Sequence, residues 1–131
     1  MIIALPVADR VVSHAFYRDA LDLAAFGGPS DDGVPEPLQF RLAADLTLML
    51  VPTGGFGWVI GGRQVASPGT NECVLTLPVP DVDAVVAKAV AAGAAVVTPP
   101  AQQPWGYAGV IADPDGHLWQ LIPDGPDGVF D

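Results

Sequence analysis

The sequence predicts an α+β fold: two tandem βαβββ modules that form a curved mixed sheet around a cavity. LPVAD at 5–9 returns as LPVPD at 77–81. LTLMLVPTG at 46–54 returns as HLWQLIPDG at 117–125, with Leu50, Pro52 and Gly54 matching Leu121, Pro123 and Gly125. Two pairs of landmarks in one order, shifted by almost the same offset, identify a duplication. One domain is expected, with module 1 at about 1–53, a linker at about 54–71 and module 2 at about 72–125. A strand–helix–three-strand unit covers one face of its sheet with the helix and leaves the other to be closed. The architecture therefore implies a pocket.

Each copy opens on an apolar strand, Ile2–Val7 and Val74–Val79, running into Asp9 or Asp81. Both aspartates stand where an N-cap accepts from the first free N–H groups of a helix. In the second helix Val82, Val85, Val86, Ala89 and Val90 form the stripe i, i+3, i+4, i+7, i+8, and Gly93 is placed as the C′ residue. Its β-branched residues lower intrinsic helicity, so packing must hold it. The first helix, about 10–21, is expected to bury Val12, Phe16 and Ala20, with Arg10, His14 and Arg18 on another side. Further strands are expected at 23–26, 38–42 and 46–51 in the first copy, and at 94–97, 107–112 and 118–122 in the second. DPDG at 113–116 is a tight turn, and the Gly- and Pro-rich stretches 27–37, 53–71 and 98–106 read as loops.

The 131 residues suffice for one hydrophobic core, and half of them are apolar, which argues against disorder. No apolar run approaches the roughly 18 residues of a membrane span. MIIALPVADR has no basic segment ahead of its apolar stretch, so it reads as a strand and not as a signal peptide. The single cysteine, Cys73, cannot form an internal disulfide, which fits a reducing cytoplasm. A net charge of −10 with five Lys and Arg would repel phosphate backbones and anionic membranes, so neither nucleic acid nor membrane is an expected partner.

FYRDALDL at 16–23 resembles the FYRD-x-LGL segment of vicinal-oxygen-chelate proteins, and WGYAGVIADPDGHLWQLI at 105–122 resembles that family's closing hairpin. The resemblance spans nearly the whole chain and implies the glyoxalase/bleomycin resistance fold. It also implies a homodimer. It leaves function open, because such folds host isomerases, dioxygenases, transferases and drug-sequestering proteins. Metal-dependent members place one ligand near the start of the first strand and one on the last strand of each module. Carried over by motif, those positions are Ile2, Met49, Val74 and Gln120. Two aliphatics, a thioether and a neutral amide are not the donor set of a borderline divalent ion. The two histidines, His14 on a helix and His117 after the turn, are not expected at inward strand positions. No metal and no cofactor are therefore expected.

Strand alternation predicts the inward set. Glu72, Val74, Thr76 and Pro78, with Leu118, Gln120 and Ile122, would line one half of the cavity; Ile2, Ala4 and Pro6, with Thr47, Met49 and Val51, the other. Leu75, Leu77, Trp119 and Leu121 would form core, with Cys73 on the same buried side. Such a lining suits a small organic ligand or a closed core. Phe56, Trp58, Trp105 and Tyr107 are aromatics in loops or at a hairpin lip, placed to stack on a flat or cationic ligand, to plug loop ends or to meet a partner copy.

The leading expectation is a non-enzymatic protein that sequesters an aromatic or cationic compound through Met49, Phe56, Trp58, Val74, Thr76, Trp105, Tyr107 and Gln120. The alternative is a glyoxalase-like lyase or isomerase without metal, with Glu72 as general base and Gln120 or Thr76 orienting a carbonyl. A metal-dependent reaction or a protein-interaction role would rank below these.

Overall fold

A computed structural model describes residues 1–125. The chain divides into two compact units, Met1–Ser67 and a second beginning at Pro68.

The first unit contains β1 (Ile2–Val7), α1 (Arg10–Leu21), β2 (Leu38–Ala43), β3 (Leu46–Pro52) and α2 (Thr53–Val59). Its sheet has the order β1-β3-β2, with β1 parallel and β2 antiparallel to β3. Asp9 caps α1 as its sequence position predicts, accepting from the N–H groups of Val11 at 2.9 Å and Val12 at 3.4 Å. The helix ends at Asp22, which takes the left-handed conformation (φ 55°) that Asp tolerates better than most residues. The side of α1 that packs down carries Ser13, Phe16, Tyr17 and Ala20, all at most 2 % exposed. Val12, expected there, is 49 % exposed instead. Phe16 and Ala20 are buried as expected, and Ser13 and Tyr17 join them in place of Val12, the Tyr17 ring lying 5.6 Å from that of Phe40. Leu38, Phe40, Leu48 and Leu50 complete this core from the helix-facing side of β2 and β3. Each large apolar side chain removed from water in this way contributes roughly 1.5–3 kcal/mol.

The expected strand at 23–26 shrinks to one antiparallel bridge, Ala25 to Phe40, with the Phe26 N–H donating to the Gln39 carbonyl at 3.2 Å. His14, expected to face water, is half-buried, its ring 6.4 Å from that of Phe40. The segment 53–71, expected to be loop throughout, begins with α2. That helix carries three glycines and has no side-chain cap, so tertiary contact holds it: it packs on β1 and β3, with Gly55 against Val51. Arg10 organises the loop that follows the bridge. Its guanidinium bonds Asp32 at 2.8 Å and the carbonyls of Val34 and Pro35 at 2.9 and 2.6 Å.

The second unit contains β4 (Val74–Val79), α3 (Val82–Ala91), β5 (Ala95–Gln103), β6 (Gly106–Ala112) and β7 (Leu118–Pro123), with sheet order β4-β7-β6-β5. Asp81 caps α3 through the Ala84 N–H at 3.1 Å. Gly93 (φ 112°) ends it: its own N–H reaches the Val90 carbonyl, and that of Ala94 the Ala89 carbonyl, the Schellman pattern that favours glycine. Val82, Val86 and Ala89 are buried as the stripe predicts, whereas Val90 at its edge is 45 % exposed. They share the core with Ile111, Trp119 and Leu121.

Asp113 shapes the turn between β6 and β7. It is 5 % exposed, and its carboxylate accepts from the N–H groups of Asp115 and His117, both at 2.9 Å. The Asn71 amide donates to the Gly116 carbonyl at 2.9 Å, so the segment before β4 is fastened to this turn. β5 continues through residues expected to be loop. Two register shifts accommodate Pro99 and Pro100 on this edge strand, where missing N–H donors cost little.

The duplication extends to hydrogen-bond register. The Ile2–Thr47 pair of β1 and β3 corresponds to the Val74–Leu118 pair of β4 and β7, shifted by the offsets that separate the two sequence landmarks from their repeats. Likewise Phe40 pairs with Leu48 in the first sheet, and Ile111 with Trp119 in the second. The Ala25–Phe40 bridge matches the Val96–Ile111 pair of β5 and β6. The missing fourth strand of the first sheet is thus a remnant in register.

Candidate functional site

In each sheet one face lies under the long helix, α1 or α3, and the other does not; in the first unit α2 meets Val51 at the end of that second face. In the first unit, register places Ile2, Ala4, Pro6, Thr47, Met49 and Val51 on the second of these faces, as alternation predicts. Ile2 is 55 % exposed and Met49 half-buried, while Thr47 is nearly covered at 9 %. Gln39 and Arg41, opposite Met49 and Thr47, join this face. The Arg41 guanidinium lies 5.2 Å from the centre of the Phe26 ring. Alternation along β1 and β3 points to neither Gln39 nor Arg41. Counting outward from the Ala43–Leu46 pair would set Arg41 opposite Leu48; the register shift between Arg41 and Ala43 sets it opposite Thr47 instead.

In the second unit, Val74, Thr76 and Pro78 lie beside Leu118, Gln120 and Ile122, again as alternation predicts. Val74 is 47 % exposed, whereas Ile122 is covered at 1 %. Thr76 and Gln120 are paired positions, and the Gln120 Nε2 donates to Thr76 Oγ1 at 3.0 Å. Val110 stands opposite Gln120 on β6. The result is one hydrogen-bonded polar pair whose neighbours on β4, β7 and β6 are apolar, with Thr98 of β5 beyond Val110. The pair keeps the Gln120 Oε1 as an acceptor and the Thr76 hydroxyl hydrogen as a donor.

Several expected site residues are placed elsewhere. Tyr107 shares its side of β6 with Gly109 and Ile111, which register sets with the core residues Leu121 and Trp119. It therefore lies on the helix side, where its hydroxyl donates to Asp83 of α3 at 2.6 Å. That hydrogen bond, some burial and the nearby charge of Asp83 and Asp81 hold the phenol above its ordinary range. Glu72 is exposed and precedes the first residue of β4, so strand alternation does not fix its side, and the burial behind its expected role as general base is absent. Cys73, expected in the core, is an exposed free thiol for the same reason. Phe56 is half-buried on α2, and Trp58 beside it is 84 % exposed. Trp105, in the turn between β5 and β6, is 53 % exposed.

The positions matched to metal ligands carry Ile2 and Met49 on one sheet and Val74 and Gln120 on the other. Their donor chemistry does not fit a divalent ion, since one amide is the sole hard donor among them. Among the described residues no three His, Cys, Asp or Glu side chains are grouped as a metal site. Also among these residues, no helix is long and apolar enough to cross a membrane.

A two-unit βαβββ architecture with a repeated register defines a class of protein, and comparison with known families agrees. Residues 2–122 match the model of the glyoxalase-like domain. The chain belongs to this glyoxalase-like family, in keeping with its resemblance to vicinal-oxygen-chelate proteins. An uncharacterized protein of Mycobacterium bovis is 37 % identical over 124 residues, covering 89 % of this chain and 78 % of that one. Among solved structures, a glyoxalase-related enzyme from Fulvimarina pelagi has a TM-score of 0.78 at 25 % identity, covering 99 % of this chain and 94 % of that one. TnmS3, an antibiotic binding protein from Streptomyces sp. CB03234, has a TM-score of 0.64 at 26 % identity, covering 93 % and 92 %.

Proposed function

We propose that this protein binds an aromatic organic small molecule without a metal and without turning it over. The observation that carries this reading is the Gln120–Thr76 pair at 3.0 Å. An aliphatic surface with a few fixed polar groups is the usual composition of a small-molecule site. The pair includes one of the positions matched to metal ligands. Similarity to an antibiotic binding protein supports the same reading. Contacts to the ligand are assigned to Val74, Thr76, Gln120 and Trp105 of the second unit, and the same role is assigned separately to Met49, Phe56 and Trp58 on the first. The acidic surface favours ligands without excess negative charge. A homodimer in a reducing cytoplasm is part of the proposal, and sedimentation analysis tests the dimer.

Trp58 and Trp105 are exposed reporters, whereas Trp119 is buried at 1 %. Titration with planar aromatic compounds should produce saturable quenching that is reduced by Trp58→Phe or Trp105→Phe. Non-saturating emission across such compounds would refute the binding function.

A further inference from the structure

The duplication supplies an internal comparison for the Gln120–Thr76 pair. In the first unit the same register positions carry Met49 and Ala4, neither of which has a side-chain N–H or O–H, and that sheet forms all the same. The fold therefore does not require a polar pair at this place. Thr76 is exposed and Gln120 half-buried, so little stability depends on their contact.

What the pair leaves free is chemically definite. An amide nitrogen carries two hydrogens, and the bond to Thr76 at 3.0 Å uses one of them. Oxygen and nitrogen sit on opposite arms of the amide, so aiming Nε2 at Thr76 leaves Oε1 on the arm away from it. Among the described residues nothing donates to Oε1. Oε1 and the second Nε2 hydrogen then stand side by side as acceptor and donor. Val110 opposes Gln120 one strand over, and neighbouring strands lie about 4.8 Å apart. A ring resting on Val110 thus brings its edge to the amide. The register-paired positions on this face of β4, β7, β6 and β5 include no charged side chain. An ionic ligand would lose water there without gaining a counter-charge.

We infer that the ligand is a neutral aromatic compound with an N–H beside a carbonyl, a lactam or imide, which pairs edge to edge with the Gln120 amide. This rests on the binding reading above and names its ligand class. The ligand N–H donates to Oε1, and the ligand carbonyl accepts from Nε2 or from the Thr76 hydroxyl. Thr76 is a positioning residue as well, because its oxygen fixes which arm of the amide meets the ligand. A compound that only accepts, such as a carboxylate or ketone, sets its own oxygen against Oε1 and leaves that acceptor unpaired.

Naphthalimide and N-methylnaphthalimide share one planar ring system and differ in the N–H, while naphthoate is an anion that only accepts. Their affinities can be measured by calorimetry with the full chain and with Gln120→Met, Thr76→Val and Gln102→Met. Gln102 pairs with Tyr107 and so lies on the other side of the sheet. The wild-type protein should prefer naphthalimide to its N-methyl derivative about tenfold, the worth of one net hydrogen bond. Naphthoate should bind no better than the N-methyl compound. Gln120→Met should abolish the preference while leaving the affinity of N-methylnaphthalimide unchanged, which also shows that the variant is folded. Thr76→Val should lower the preference, and Gln102→Met should keep all of it. Equal binding of the two imides by the wild type, or tighter binding of naphthoate, would overturn the inference and leave the binding function standing. A preference that survives Gln120→Met, as exclusion of the methyl group by shape alone would give, or that Gln102→Met removes equally, would also overturn it. Failure of all three compounds to bind would refute both readings.

Discussion

The Nε2 of Gln120 donates to Oγ1 of Thr76 at 3.0 Å across paired positions of β7 and β4. The Thr76→Val variant keeps the shape and removes the acceptor. Because the pair is solvent-accessible, stability should change by less than about 1 kcal/mol. Ligand affinity should fall about tenfold, since the amide loses its fixed orientation. Urea denaturation and fluorescence titration read the two effects separately, and unchanged affinity would exclude the pair from the site.

Tyr107 makes the opposite case. Its hydroxyl is committed to Asp83 at 2.6 Å on the helix side of the sheet. Tyr107→Phe should cost no more than about 1 kcal/mol in denaturant titrations. It should leave the affinity of any aromatic ligand unchanged. A loss of binding would show that the tyrosine reaches the ligand after all.

Gly109 is a packing requirement. A Cβ there would lie 2.9 Å from Pro100 Cγ and 3.2 Å from Pro100 Cα. Gly109→Ala should therefore destabilise by about 1–3 kcal/mol, since the edge strand must move. Adding Pro100→Ala should restore part of the loss, because the backbone contact persists when the ring is gone. Thermal melts of the single and double variants measure this.

The loop tied to Arg10 should have an acid-sensitive contact. The Val34 N–H, the Ser30 hydroxyl and then Arg10 hold the Asp32 carboxylate below its ordinary range, with partial burial opposing them. A depressed folded-state value means that the contribution is present above the unfolded carboxylate range, near ~3.9, and lost as pH falls through the lower value. The amide resonance of Val34 should titrate below that range in the wild type and stay flat in Asp32→Asn.

Much of this fold was legible in the residues themselves. The repeat, the opening strands, the caps at Asp9 and Asp81, the Gly93 terminus and the DPDG turn depend on neighbours within a few positions. Alternation along β4 and β7 also placed Thr76 and Gln120 on one face. By contrast, the sequence predicts loop over α2, since three glycines in seven residues have low intrinsic helicity, and packing on β1 and β3 overrides that. Val12 is exposed, and Tyr17, which the period alone does not single out, is buried against Phe40.

Cross-strand register decided the candidate site. Tyr107 belongs with Ile111 and not with Val110, a distinction of one residue that reverses the side it faces. Arg41 became visible only when Phe26 was placed beneath it by a single bridge to β2. Local preference, capping and period belong to the sequence, since each arises from residues adjacent along the chain. Which side chains share a face across strands is fixed by hydrogen bonds between distant segments, and those exist only once the chain has folded.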